Sequence, residues 1–242
     1  MSEQVKPYKD SDLQKKKQVQ QMFDTISEDY DSLNRVISWG RDTVWRKRLV
    51  SLIVQAQPQR VLDIATGTGD LALSFAKKGI PHVVGLDLSE GMLRIAKKKA
   101  QQKEWAQGIQ FVAGDSENLP FEEGSFDAVS VSFGIRNFEN LEKGLAEIYR
   151  VLRPGGTFVI LETAVPQKFP FKQGYFFYCK TLLPFIGRLF SKDKVAYKYL
   201  SESASVFPSG EKLNNILKKI GFINIKNFPQ TMGVAVIYSS TK

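Results

Sequence analysis

The densest group of chemistry-bearing residues is Val61-Leu62-Asp63-Ile64-Ala65-Thr66-Gly67-Thr68-Gly69-Asp70. An apolar run passes there into a glycine turn, and glycine lets a backbone approach a ligand closely. Gly67-Thr68-Gly69-Asp70-Leu71-Ala72 also fits the dinucleotide fingerprint G-x-G-x-x-A, a weak signal by itself. Two further acids follow at the ends of apolar runs: Asp87, and Asp115 in Ala113-Gly114-Asp115-Ser116. An acid at the first of these places accepts the hydroxyls of a ribose. An acid at the second can accept an adenine amino group. Asp63 discriminates between adenosine cofactors. A carboxylate beside the turn repels a pyrophosphate and attracts a ligand that carries an ammonium and a sulfonium. The candidate set Asp63, Gly67, Gly69, Asp87 and Asp115 therefore favours S-adenosylmethionine (SAM) over NAD.

These residues need a sheet to bring them to one edge. Strand patterns fall at Gln59–Ile64, His82–Leu86, Ile109–Ala113, Phe126–Ser132 and Thr157–Leu161. Helical patterns lie between them at Leu71–Lys78, Glu90–Gln102 and Leu141–Leu152, the last stopped by Arg153-Pro154-Gly155-Gly156. Ser89 is a plausible N-cap. Alternation of this kind predicts an α/β fold with a mostly parallel sheet and helices on both faces. Residues 11–27 and 42–55 read as helices of an N-terminal cap, spanning 1–57. The SAM-binding core covers 58–165, an insertion 166–207, and a C-terminal helix with two strands 208–242, all within one domain. The two last strands are joined by a short turn, so they form an antiparallel hairpin at one edge of a seven-stranded sheet.

Net charge is +9, and residues 166–200 carry +6 of it together with ten aromatics. Such a lid can wall a pocket or meet an anionic membrane surface. There is one cysteine, Cys179, which excludes an internal disulfide. With no run of apolar residues long enough to span a bilayer, a cytoplasmic protein is expected, peripheral at the inner face of the membrane.

Four segments resemble the class I SAM-dependent methyltransferases, in order and spacing: Val61–Leu73, Val83–Leu93, Leu119–Val129 and Tyr149–Glu162. Two more narrow the resemblance, Tyr30–Gly40 with Trp45 after it, and Ser132-Phe133-Gly134-Ile135-Arg136-Asn137. Both are similar to the quinone-biosynthesis C-methyltransferases that act on demethylmenaquinol and polyprenyl methoxybenzoquinol. The likeness runs from Met22 to the final strand. Three positions depart from that pattern: Ala65 stands for the first glycine, Asp42 for a histidine three residues before Trp45, and Glu162-Thr163-Ala164 for Glu-Phe-Ser. The resemblance implies SAM contacts at Thr68, Asp87, Asp115, Ser116 and Ser132, and a prenylated quinol as substrate. No metal and no nucleic-acid partner are expected. A SAM-dependent methyltransferase of another small molecule or of RNA is the alternative; the charge favours RNA, but the Asn/Asp-Pro-Pro-Tyr sequence used on base amino groups is absent.

Methylation of a quinol carbon needs the ring activated by loss of a hydroxyl proton. His82, the one histidine, begins the second strand, away from the ligand edge. Arg136 follows the fourth strand, where ligands bind in open α/β sheets, and is expected to stabilise the quinolate. Tyr30, Asp31 and Asn34 belong to the segment expected to cover the site, with Asp31 as candidate proton acceptor.

Overall fold

The computed structural model describes residues 5–178, 181 and 194–242. Three helices come first, α1 (Lys15–Ile26), α2 (Tyr30–Ile37) and α3 (Arg41–Val54). The alternating part runs β1 (Arg60–Ile64), α4 (Asp70–Lys77), β2 (His82–Asp87), α5 (Glu90–Gln101), β3 (Ile109–Ala113), β4 (Phe126–Ser132), α6 (Leu141–Val151) and β5 (Leu152–Thr163). Then follow α7 (Phe171–Phe177), α8 (Lys194–Val206), α9 (Glu211–Ile220), β6 (Ile223–Gln230) and β7 (Ala235–Thr241).

The seven strands pair in the order β3-β2-β1-β4-β5-β7-β6. The first five are parallel, and β7 is antiparallel to both of its neighbours. The hairpin thus folds back on itself so that β7 enters next to β5 and β6 takes the edge. The breaker Arg153-Pro154-Gly155-Gly156 lies inside β5, where the register with β4 shifts between Phe126 and Ala128. A bulge absorbs the irregularity without ending the strand.

Alternate strand residues feed opposite faces, as the two-residue period of a strand requires. Leu62, Val84, Val129, Phe158 and Ile160 pack against Leu145 and Ile148 of α6 and Leu213 and Leu217 of α9. Their neighbours Val61, Val83, Ala128, Val159 and Leu161 pack against Leu49 and Ile53 of α3 and Leu71 and Phe75 of α4. A third cluster lies beyond the sheet edge: Met22, Ile26, Leu33, Met92, Ala196 and Tyr199 join α1, α2, α5 and α8. The cap is thereby held over the ends of β1 and β2. Among the described residues no helix is long and apolar enough to cross a membrane. Lys180, Arg188 and Lys192 of the basic insertion lie outside the described residues.

Candidate functional site

β1 ends at Ile64, and the chain turns through Ala65 (φ 51°), Gly67 (φ 56°) and Gly69 (φ 82°) into α4. Ala65 holds a left-handed conformation that costs an L-residue about 1–2 kcal/mol. Its methyl fits because Gly134 faces it; a Cβ on Gly134 would lie 2.4 Å from that of Ala65. The missing glycine is thus compensated on the facing loop.

Two adjoining cavities open at this edge. The first, with about 710 Å³ of open space, is lined by Gly67, Asp87, Asp115, Ser116 and Ser132, and by Lys16, Gln20 and Phe23 of α1. Asp87 accepts the Gly67 N–H at 2.8 Å and the Ser89 N–H at 2.9 Å. Burial raises its pKa against these bonds. The carboxylate still has lone-pair capacity for a ligand hydroxyl. The Ser132 hydroxyl is buried without a partner among the described residues and belongs to the same wall. Asp115 is less free than its sequence suggested: Lys16 donates to it at 2.7 Å, and the Glu117 N–H at 2.9 Å.

Three residues assigned to the cofactor lie elsewhere. Asp63 is 1% exposed and does not line the cavity. It accepts hydrogen bonds from Thr66 and Ser130, both at 2.7 Å, and so pins the turn from beneath. The Thr68 hydroxyl donates to Asp31 at 2.6 Å, on the side of Lys99. Gly69 provides room for packing, since a Cβ there would meet Ala96 at 2.9 Å and Phe111 at 3.2 Å.

Burial dominates Asp63 and raises its pKa from 3.8 to about 6, although Thr66 and Ser130 pull the other way. Folding then favours the protonated carboxyl. Its contribution to stability is full below about pH 4 and is lost as the pH rises through about 6. That shift corresponds to about 3 kcal/mol. Asp63→Asn keeps two polar atoms and removes the titration. Urea unfolding should show the parent losing about 3 kcal/mol relative to the variant between about pH 4 and pH 7. A pH-independent difference would show that Asp63 does not carry this proton.

The second cavity is larger, with about 2250 Å³ of open space, and mainly apolar. Ile37, Trp45, Phe171, Tyr175, Leu200 and Val234 contribute to its wall. Tyr30 and Phe133 line both cavities and form the partition between them. Arg136 and Asn34 face the second. Arg136 pairs with Glu162 at 2.6 Å and donates to the Phe133 carbonyl at 2.8 Å, while its Nε has no partner among the described residues. Burial opposes its charge, but Glu162 together with Tyr30 and Tyr199 more than offsets burial and raises the pKa above the ordinary value. Burial raises the Tyr30 pKa too, so the phenol stays protonated and donates. Asp31 turns away: it pairs with Lys99 at 2.5 Å and lines neither cavity. The expected proton acceptor therefore does not reach the second cavity.

Sequence reasoning placed the helix α1 within 11–27 but missed the contacts it makes. Lys15, 7% exposed, donates to the Phe138 carbonyl at 2.8 Å and the Arg136 carbonyl at 3.3 Å, tying the cap to the loop that carries Arg136. The apolar stripe of α1 showed a buried face, but not which partner it covers.

The strand order, the glycine turn after β1 and the acid ending β2 define a SAM-dependent methyltransferase. Solved structures agree on this fold: a SAM-dependent methyltransferase from Thermotoga maritima, titled a possible histamine N-methyltransferase, aligns with a TM-score of 0.66 at 21% identity over 92% of this chain and 99% of that one. A Haemonchus contortus phosphoethanolamine N-methyltransferase 2 in complex with SAM aligns at 0.57 and 20% identity, over 76% of this chain and 48% of that one. The chain belongs to the ubiE/COQ5 methyltransferase family, whose model matches residues 11–242. It is 42% identical to the demethylmenaquinone methyltransferase of Bacteroides fragilis over 99% of this chain and 98% of that protein. It is 44% identical to the protein of that name from Thermus thermophilus, over 90% and 98%. It is also 42% identical to the ubiquinone/menaquinone biosynthesis C-methyltransferase of Geotalea daltonii, over 95% and 98%.

Proposed function

We propose that the chain methylates a ring carbon of a prenylated quinol, demethylmenaquinol to menaquinol first among these, with SAM as donor. The observation that carries this reading is the large apolar cavity that shares the Tyr30–Phe133 partition with the cofactor cavity. A hydrophobic ring placed there lies beside the methyl donor, and a tail has room behind it. Curated relatives that match along nearly the full chain bear the corresponding name.

In this reading Asp87 takes the ribose hydroxyls, and Gly67, Asp115, Ser116 and Ser132 surround the rest of the nucleoside and its amino acid. When bound, SAM supplies an electrophilic methyl group. The protein supplies orientation and charge. Arg136, held by Glu162, presents a fixed cation to the developing quinolate. Tyr30 and Asn34 donate to or orient the ring oxygens. An assay with SAM and a short-tailed demethylmenaquinol should give the ring-methylated product by mass spectrometry. Methylation of RNA in the same preparation, with none of the quinol, would overturn the assignment.

The same reading puts the protein at an anionic membrane surface. Trp39 is 76% exposed, Met232 67% and Phe171 42%, and all three rim the second cavity. Trp39 (φ 53°) and Met232 (φ 57°) hold left-handed backbone while exposing large apolar side chains. Exposed Arg35, Arg41, Lys168 and Lys172 flank this rim in the sequence, and the stretches 35–41, 166–178 and 228–234 contain no acid. Each such cation contributes about 1 kcal/mol near anionic headgroups. The protein should pellet with phosphatidylglycerol-containing vesicles at low salt and less at high salt. Trp39→Ser with Met232→Ser should cut the bound fraction, while Ile223→Ser, 56% exposed at the start of the edge strand, should not. Equal pelleting of all three proteins would remove the rim from the interaction.

A further inference from the structure

The quinol reading needs a proton acceptor, and the structure removes the obvious ones. Asp31 is engaged by Lys99 and Thr68 away from the second cavity. Glu162 does not line it and uses Oε1 for Arg136 and the Thr163 N–H. His82 starts β2 and lines neither cavity. Among the described residues that wall the second cavity, Asp42 is the one carboxylate. It stands in the first turn of α3, where the left-handed Gly40 turns the chain from α2 into the helix. Its side chain is 7% exposed. Ser38 Oγ donates to its Oδ1 at 2.7 Å. Oδ2 has Arg46 at 3.9 Å and no hydrogen-bond donor among the described residues. The carboxylate is thus oriented by one oxygen and open at the other.

We propose that Asp42 is the catalytic base that takes the proton of the quinol hydroxyl; this rests on the quinol reading above. The O–H bond breaks toward Asp42 Oδ2 and its electron pair moves into the ring. The ring carbon then forms its bond to the methyl carbon and displaces a neutral thioether. The product ring now holds a carbonyl and a tetrahedral carbon. Loss of that carbon's proton to water restores aromaticity, and the carbonyl oxygen recovers the proton from Asp42. One proton is released per methyl transferred.

Several charged or titratable groups surround this carboxylate. Arg41 and Arg46 come from its own helix. Tyr30 comes from α2, Tyr175 from α7, and Tyr178 follows it. Arg136, backed by Glu162 of β5, lines the same cavity, and Asp70 of α4 meets Arg46 at 2.5 Å. The cations outnumber the acids, so the quinolate left by proton transfer is electrostatically accommodated beside them.

The test uses the full chain with SAM and a short-tailed demethylmenaquinol. Asp42→Asn should lower kcat by about a hundredfold or more, with SAM affinity unchanged. It should also abolish the fall in kcat at low pH that the proposal requires of the parent. Asp42→His restores a base of higher pKa. It should recover at least about tenfold of the lost rate and move the acid limb to higher pH. A structural role for Asp42 would not move that limb. Normal turnover in Asp42→Asn, or the same limb in the parent and Asp42→His, would overturn the proposal. If Asp42→Asn does not fold, the limb of Asp42→His decides alone. A parent that binds SAM but never methylates the quinol would instead refute the quinol reading, and this assignment with it.

Discussion

Arg136→Ala should lower kcat on the quinol by about 10²- to 10³-fold, the usual cost of removing a preorganised group from a developing anion. SAM affinity should stay close to that of the parent, because Arg136 lines the second cavity and not the first. The substitution has a structural consequence as well. Glu162 is 1% exposed and would lose its ion-pair partner. Breaking one side of a buried pair costs about 3–5 kcal/mol. Adding Glu162→Gln removes the stranded charge, so the double variant should regain stability and remain inactive. Rapid-quench measurement of one turnover, beside calorimetric titration with SAM, separates the two effects. Normal turnover in the folded double variant would take Arg136 out of the reaction. Arg136→Lys should recover little, since the Nη1 that meets both Glu162 and the Phe133 carbonyl belongs to a planar fork that an ammonium lacks.

Asp87→Ala should weaken SAM binding by about 1–3 kcal/mol, or roughly 5- to 150-fold, because a charged acceptor of the ribose hydroxyls is lost. The side chain also accepts the Gly67 and Ser89 N–H groups, so the glycine turn should loosen with it. Asp87→Asn keeps one carbonyl acceptor and should lose less. Titration calorimetry checks both, with NAD as a control that should give no heat. Unchanged SAM affinity in Asp87→Ala would show that the first cavity does not take the cofactor in this orientation.

The sequence by itself determined the alternating fold and the edge of the sheet that carries the site. Those depend on local patterns: the short apolar runs of β1 to β5, the helical period between them, and glycines that permit a left-handed turn. Asp87 was legible for the same reason, since a residue ending a strand must lie at the ligand edge. The departure at Asp42 was visible too, but its meaning was not. What the tertiary structure decided were contacts between residues far apart in the chain. Asp63 lies one residue before the end of β1, close to the same edge, yet Thr66 and Ser130 take both of its oxygens beneath the turn. Asp31 is claimed by Lys99 of α5, and Arg136 by Glu162 of β5. Lys15 and Lys16, unremarkable in a lysine run, reach the Arg136 loop and Asp115. A carboxylate's role follows from which cation or hydroxyl folding places against it, and no spacing rule in one chain encodes that pairing. The packing of α1, α2 and α3 over the strand ends made that choice, turning Asp31 away from the second cavity and leaving Asp42 facing it.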